Sequence, residues 1–451
     1  MKPDLLIKGG RIIDPSQNLD KISDLLITRG KVNKIQDNDT ISQSKSLPVV
    51  DASGYIVCPG FIDLHCHLRE PGFEDKETIV TGTQAAAAGG FTTICCMPNT
   101  NPPLDNKASV DYVKCKAENE GEIRVLVIGC ITKSRQGKEL TEMYELAESG
   151  IIGFSDDGEP VANSRILSLA MEYSRSLGLP IIEHCEDKNL ADGGFMNEGW
   201  VSTRLGLKGI PAVAEEIIIA RDIALAELNK AKLHVAHVST KGSAQLIRNA
   251  KEKGISVTAE VTPHHLTLTE ERVMRSPSDK NKYLVYDTNA KVNPPLRTKE
   301  DIDALIIGLN DGIIDIIATD HAPHTSVDKM CEFGLAAFGI SGFETALGSL
   351  MGLVHNGQID LTTMISKLTT EPARIIGTKH GELGTLKVGS QADITVFDPN
   401  KEWIVNSQSF FSKGKNTPLD GYEFKGKVMA SIFAGNIVYK DESIKIDGNN
   451  E

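Results

Sequence analysis

Residues 61–72, FIDLHCHLREPG, open on a short apolar run and close on two histidines, an arginine and a Pro-Gly turn. Side chains of a β-strand alternate between its faces, so His65 and His67 share one side while Cys66 takes the other. Two imidazoles on one rigid strand can grip one metal ion. Alone, the pair would as readily be two satisfied or solvent-facing histidines, so its meaning depends on the rest of the chain.

Similar short β-branched runs recur at 92–98, 125–131, 150–155, 180–184, 233–238, 256–261 and 315–319, giving eight strands with the first at 61–67. Segments at 76–88, 109–119, 140–148, 164–177, 212–228, 242–253 and 299–309 carry apolar residues three or four apart and read as helices. Strands alternating with helices predict an α/β fold with parallel strands, and eight of them close a (β/α)8 TIM barrel.

In such a barrel the chemistry gathers at the carboxyl ends of the strands. Polar residues fall there repeatedly: His65, His67, Asn99, Asp157, His184 of PIIEHCED, His237 of KLHVAHVS, His264 and His265, and Asp320 of DIIATDHAPH. Imidazole and carboxylate are the ligands zinc favours, and four histidines with two carboxylates exceed one tetrahedral shell, which predicts two metals. The run GFSDDG supplies Asp156 and Asp157, and by spacing alone either could bridge them. Elsewhere in a chain, a DDG run would read as a turn or helix cap. His264 and His265 are assigned no role, and His355 and His380 are expected at the surface.

Both ends of the chain have a different texture, with short alternating runs and turns at 5–7, 11–13, 24–27 and 31–35, and again at 393–397, 428–433 and 435–439. They predict one small composite β-sandwich domain formed from both termini, with residues 1–57 and 376–451 flanking a barrel at 58–375. Across the 451 residues, 48 Lys and Arg face 61 Asp and Glu, a net charge of −13 with no long basic run, which argues against nucleic acid and anionic membranes. No apolar run approaches the roughly 20 residues of a membrane span, and MKPDLLIKGGRIID lacks the regions of a secretory signal, so a cytoplasmic location is expected. The 8 cysteines show no CxxC spacing and are expected to be reduced and mostly buried.

These residues resemble the cyclic amidohydrolases of the metal-dependent amidohydrolase superfamily, and within them the bacterial class I dihydroorotases. DLHCHLREPG at 63–72 and ATDHAPHTSVDK at 318–329 match that family's two signature patterns, although Cys66 stands where a small aliphatic residue is usual. The resemblance implies reversible hydrolysis of (S)-dihydroorotate to N-carbamoyl-L-aspartate by zinc-bound hydroxide, in pyrimidine biosynthesis. It implies that His65 and His67 bind a first Zn2+, that His184 and His237 bind a second, and that Asp320 is ligand and catalytic base. Many relatives bridge the metals through a carboxylated lysine; GIIGFSDDG has no lysine, and the match falls on Asp157. It further implies substrate contacts at His67, Leu68, Arg69, Asn99, Asn293, His324, Phe338 and Gly339. An arginine fork suits a substrate carboxylate, and the two amides suit the edges of a cyclic ureide. A homodimer and association with aspartate transcarbamoylase are left open. The competing readings are an allantoinase or dihydropyrimidinase, which share barrel and metals, and a catalytically silent scaffold for the transcarbamoylase, which would lack part of the ligand set.

Overall fold

A computed structural model describes residues 4–36, 47–274 and 286–447. Strands Phe61–Cys66, Phe91–Cys96 and Arg124–Val127 form one parallel arc, and Ile181–Glu183, Leu233–Val235, Val257–Val261 and Ile316–Ile317 form another. Phe154 joins the arcs by bridging to Gly129 on one side and Ile181 on the other, and a bridge between Cys66 and His321 closes the ring. Eight parallel positions thus make the expected TIM barrel, the fourth being a single bridge residue.

The lumen is identified by its packing. Ile62, Leu64, Met97, Ile128, Ile152, Ile182, Ala236 and Ala318, drawn from seven of the strands, form one apolar cluster, which only the barrel interior allows. Its base is stopped by helix Thr370–Ile376, whose Ala373, Ile375 and Ile376 pack against the cluster. The outward residues of the same strands, such as Phe61, Val127, Leu233 and Val261, pack against the surrounding helices.

Several of those helices begin where short polar side chains cap them. Asn106 caps Lys107–Glu120, Asn163 caps Ser164–Leu177, Thr240 caps Lys241–Glu252 and Thr298 caps Lys299–Asn310. The helix expected from residue 76 starts at Ile79 because Thr78 forms a capping box with Thr81. Beyond the eighth strand lie helices Phe343–His355, Leu361–Leu368 and Thr370–Ile376, which the strand–helix alternation did not announce.

Both ends of the chain meet in one nine-stranded sheet. Leu5–Asp14 pairs with Leu19–Thr28 and runs parallel to Ile56–Pro59, which pairs in turn with Ile394–Ile404 from the far end of the sequence. Leu25, Val57, Val396 and Met429 share its core. Gly60 links the sheet to the barrel, and a Cβ there would overlap Thr92 of the second barrel strand. Six of the cysteines are buried and free, while Cys115 and Cys331 are exposed and free. Among the described residues no helix is long and apolar enough to cross a membrane.

Candidate metal centre and active site

The first strand departs from simple alternation at the point that matters. Ile62 and Leu64 face the lumen, while Cys66 and Leu68 pack outward against the helices. Strand pairing explains the change of face: three steps from Asp63 to Cys66 lie against two from Ile94 to Cys96, a one-residue bulge. The bulge turns His65, and with it His67, toward the mouth of the barrel. Two other strand ends are re-aimed by left-handed backbone, His237 at φ 31° and Asp320 at φ 46°. Such conformations are unfavourable outside glycine and concentrate at functional sites.

Asp157 sits at the centre of the resulting cluster. Its Oδ1 lies 3.5 Å from His65 Nε2, 3.6 Å from His237 Nε2 and 3.8 Å from His184 Nδ1, and its Oδ2 lies 3.6 Å from His67 Nε2. Asp320 Oδ1 is 3.0 Å from His67 Nε2 and 3.6 Å from His65 Nε2. His184 Nδ1 and His237 Nε2 approach to 2.9 Å. One lobe therefore holds His65, His67 and Asp320, the other His184 and His237, with Asp157 between them.

The donor set fits metal. His65, Asp157 and His237, and again His65, His67 and Asp320, offer ligand atoms within 4.8 Å of one another, all buried. His65 Nε2 and Asp157 Oδ1 are buried without a hydrogen-bond partner, a costly state that coordination relieves. Burial alone would raise the Asp157 and Asp320 carboxyls, but the imidazoles outweigh it. His65 acts most strongly on both, and both are held below the usual carboxylate range.

Asp156 points elsewhere. Its Oδ1 accepts from the backbone N–H groups of Ile131 and Thr132 at 2.9 and 3.1 Å, and its Oδ2 accepts from the Thr132 hydroxyl. Their partners thus separate two aspartates that spacing could not.

Around the mouth, Asn99 Oδ1 is 2.8 Å from His67 Nδ1, and its amide donates to Asp157 Oδ2 at 3.4 Å. Arg69, at φ 61°, donates to the Pro323 carbonyl, and its Nη2 is 3.2 Å from His324 Nε2. Burial lowers its guanidinium to about 10. His324 Nε2 is also 2.8 Å from the Phe338 carbonyl, and Gly339 donates its N–H to the Lys291 carbonyl. Asn293 reaches Glu186 at 3.3 Å and His184 Nε2 at 3.4 Å. Leu68 differs from its neighbours: its side chain lies in the barrel–helix core, 2 % exposed, so only its backbone is available to a ligand.

His265 is satisfied by Thr262 and the Pro294 carbonyl, whereas His264 Nε2 is buried without a partner. His355 is exposed and His380 half-buried. Two acids escaped the sequence reading. Glu186 faces His184, Lys188 and Asn293. Glu260 accepts a hydrogen bond from His65. Glu260 had a usable signal, being the one carboxylate in the strand-like run VTAEV.

Residues 54–243 match the family model described as dihydro-orotase-like, and residues 308–439 match the amidohydrolase family model. The dihydroorotase of Thermoanaerobacter sp. (strain X514) is 50% identical over 439 residues, covering 97% of this chain and 98% of its own. That of Aquifex aeolicus (strain VF5) is 50% identical over 438 residues, covering 97% and 99%. Among solved structures, the L-hydantoinase (dihydropyrimidinase) from Arthrobacter aurescens superposes with a TM-score of 0.85 over 99% of this chain and 98% of its own. The dihydropyrimidinase from Brevibacillus agri NCHU1002 gives 0.82 over 99% and 97%. Both are 24% identical and testify to the fold alone.

Proposed function

Because the chain belongs to the dihydroorotase family of amidohydrolases, we propose that it catalyses the reversible hydrolysis of (S)-dihydroorotate to N-carbamoyl-L-aspartate in pyrimidine biosynthesis. The observation that carries the catalytic reading is Asp157, central to four histidines from three strands, with Asp320 at 3.0 Å from one of them.

The residues suit a pair of zinc ions, one held by His65, His67 and Asp320, the other by His184 and His237, with Asp157 shared. Bound there, zinc would lower the pKa of water toward neutrality and polarise the scissile carbonyl. Asp320, kept ionised by the surrounding imidazoles, accepts the proton of the attacking water and returns it to the departing ring nitrogen. One carboxylate thereby serves both directions.

Arg69 presents its fork to the substrate carboxylate beside His324, and Asn99 and Asn293 offer amides to the ring. These contacts lie away from the reacting carbon, so their binding energy orients it. Dihydroorotate should therefore be opened in preference to rings without the carboxylate.

The test is to incubate zinc-loaded protein separately with dihydroorotate, allantoin, dihydrouracil and hydantoin, with and without a chelator. Chelator-sensitive opening of dihydroorotate alone is expected. Preference for a ring lacking the carboxylate would move the protein to the hydantoinase side of the superfamily. Ring closure consumes a proton when carbamoyl aspartate is written as its dianion, so the equilibrium should shift toward the ring in acid; an equilibrium indifferent to pH would exclude the assigned reaction.

A further inference from the structure

Glu260 belongs to the seventh barrel strand, faces the lumen and is fully buried. Its Oε1 is 2.5 Å from His65 Nδ1 and accepts the backbone N–H of His237 at 3.2 Å. Its Oε2 is 3.0 Å from His234 Nε2, and His234 Nδ1 is in turn 2.8 Å from the Thr258 hydroxyl. One side chain therefore touches a member of each lobe of the proposed metal centre: the ring of His65 in the first, the backbone of His237 in the second.

The chemistry of these contacts is directional. A carboxylate set against two imidazole nitrogens and a backbone N–H serves as acceptor to all three. His65 must then carry its proton on Nδ1, which leaves the Nε2 lone pair aimed at the gap it shares with Asp157 and Asp320. A carboxylate behind a histidine ligand fixes tautomer and ring angle and strengthens the donor nitrogen. The second contact acts on geometry. His237 has φ 31°, a conformation that a non-glycine residue keeps only when its surroundings hold it. The Glu260 oxygen receiving its N–H is such a restraint.

The other histidine of the first lobe is supported differently. His67 Nδ1 meets Asn99, a neutral amide at the mouth. His65 and His67 are thus unequal ligands, one backed by a buried charge and one by an amide.

We propose that Glu260 is a positioning residue that couples the two lobes, fixing the His65 donor and the His237 backbone together and so setting the affinity of both halves for divalent metal. This rests on the metal reading given above. The experiment uses the full-length protein, stripped and then titrated with zinc against a competing chelator. Glu260→Gln should bind zinc about 10–100-fold more weakly than wild type. The visible spectrum of its cobalt-substituted form should shift, because the donor strength of His65 has changed. A residue that merely packed would leave that spectrum where it was.

Glu260→Asp keeps the charge but draws it back from His65, and should recover part of the affinity. If the Gln variant does not fold, the Asp variant carries the test with an expected loss of several-fold. A folded variant with zinc affinity within twofold of wild type and an unmoved cobalt spectrum overturns the proposal. Wild type that binds zinc yet opens none of the four rings would refute the proposed reaction and leave Glu260's part standing. Equal zinc binding by wild type and variant, with dihydroorotate turned over, would do the reverse.

Discussion

Asp156 and Asp157 are adjacent, both acidic and both buried, yet one is tied into the backbone of 131–132 and the other into four imidazoles. Asp157→Asn should therefore lose bound metal, while Asp156→Asn keeps it and loses stability instead; metal analysis of the two purified variants decides, and loss confined to the Asp156 variant would transfer the bridge to it. The Arg69 guanidinium is planar and its partners are fixed, so Lys cannot replace it atom for atom. A charged hydrogen bond is worth about 1.5–3 kcal/mol, so Arg69→Lys should raise KM for dihydroorotate roughly 10–100-fold with a smaller effect on kcat. Unchanged KM in steady-state assays would remove Arg69 from substrate binding. The histidines and Asp320 were legible in the sequence because they end recognisable strands. Glu260 was legible only as an acid within a strand-like run, and its role was hidden: its partner His65 lies 195 residues earlier, a proximity that exists only after the barrel closes.

Helix Phe343–His355 carries a half-buried acid at its start. Glu344 accepts the N–H groups of Phe411 and Ser412 at 3.1 and 3.2 Å, and burial lifts its carboxyl from 4.5 to about 7 despite those bonds. Between those values the folded chain holds a proton that the unfolded chain has released. Stability from this group is thus complete below pH 4.5 and is lost as pH rises through 7. Glu344→Gln has no such slope, so relative to wild type it should gain up to about 3 kcal/mol between pH 4.5 and 8. Melting temperatures of both proteins across that range provide the check, and parallel curves would contradict it. This helix and its two successors follow the last strand, so strand counting gave no cue to them. The bulge between Asp63 and Cys66 was equally hidden, since an extra residue shows only against the register of the neighbouring strand.

The six candidate ligands come from the first, fourth, fifth, sixth and eighth barrel positions, so any ion they hold fastens together both arcs of the wall. Ligand bound only by the folded state stabilises it by about 4 kcal/mol at a thousandfold excess over Kd. Chelation should accordingly lower the melting temperature by several degrees and zinc should restore it; identical melts with and without metal would deny the ions that structural part. The barrel itself was readable from eight strand-like runs, and the terminal sheet from its change of texture. What could not be read was that Ile56–Pro59 and Ile394–Ile404, some 340 residues apart, lie side by side, because pairing partners leave no local mark. One feature at the opposite end from the chemistry governs traffic. With the lumen filled by apolar side chains and Ala373, Ile375 and Ile376 packed beneath them, the barrel offers no way through: reactant and product would use the mouth alone, and a bulky group appended to the ring would trail outward there, so tethered analogues should compete for entry while their tails stay in water.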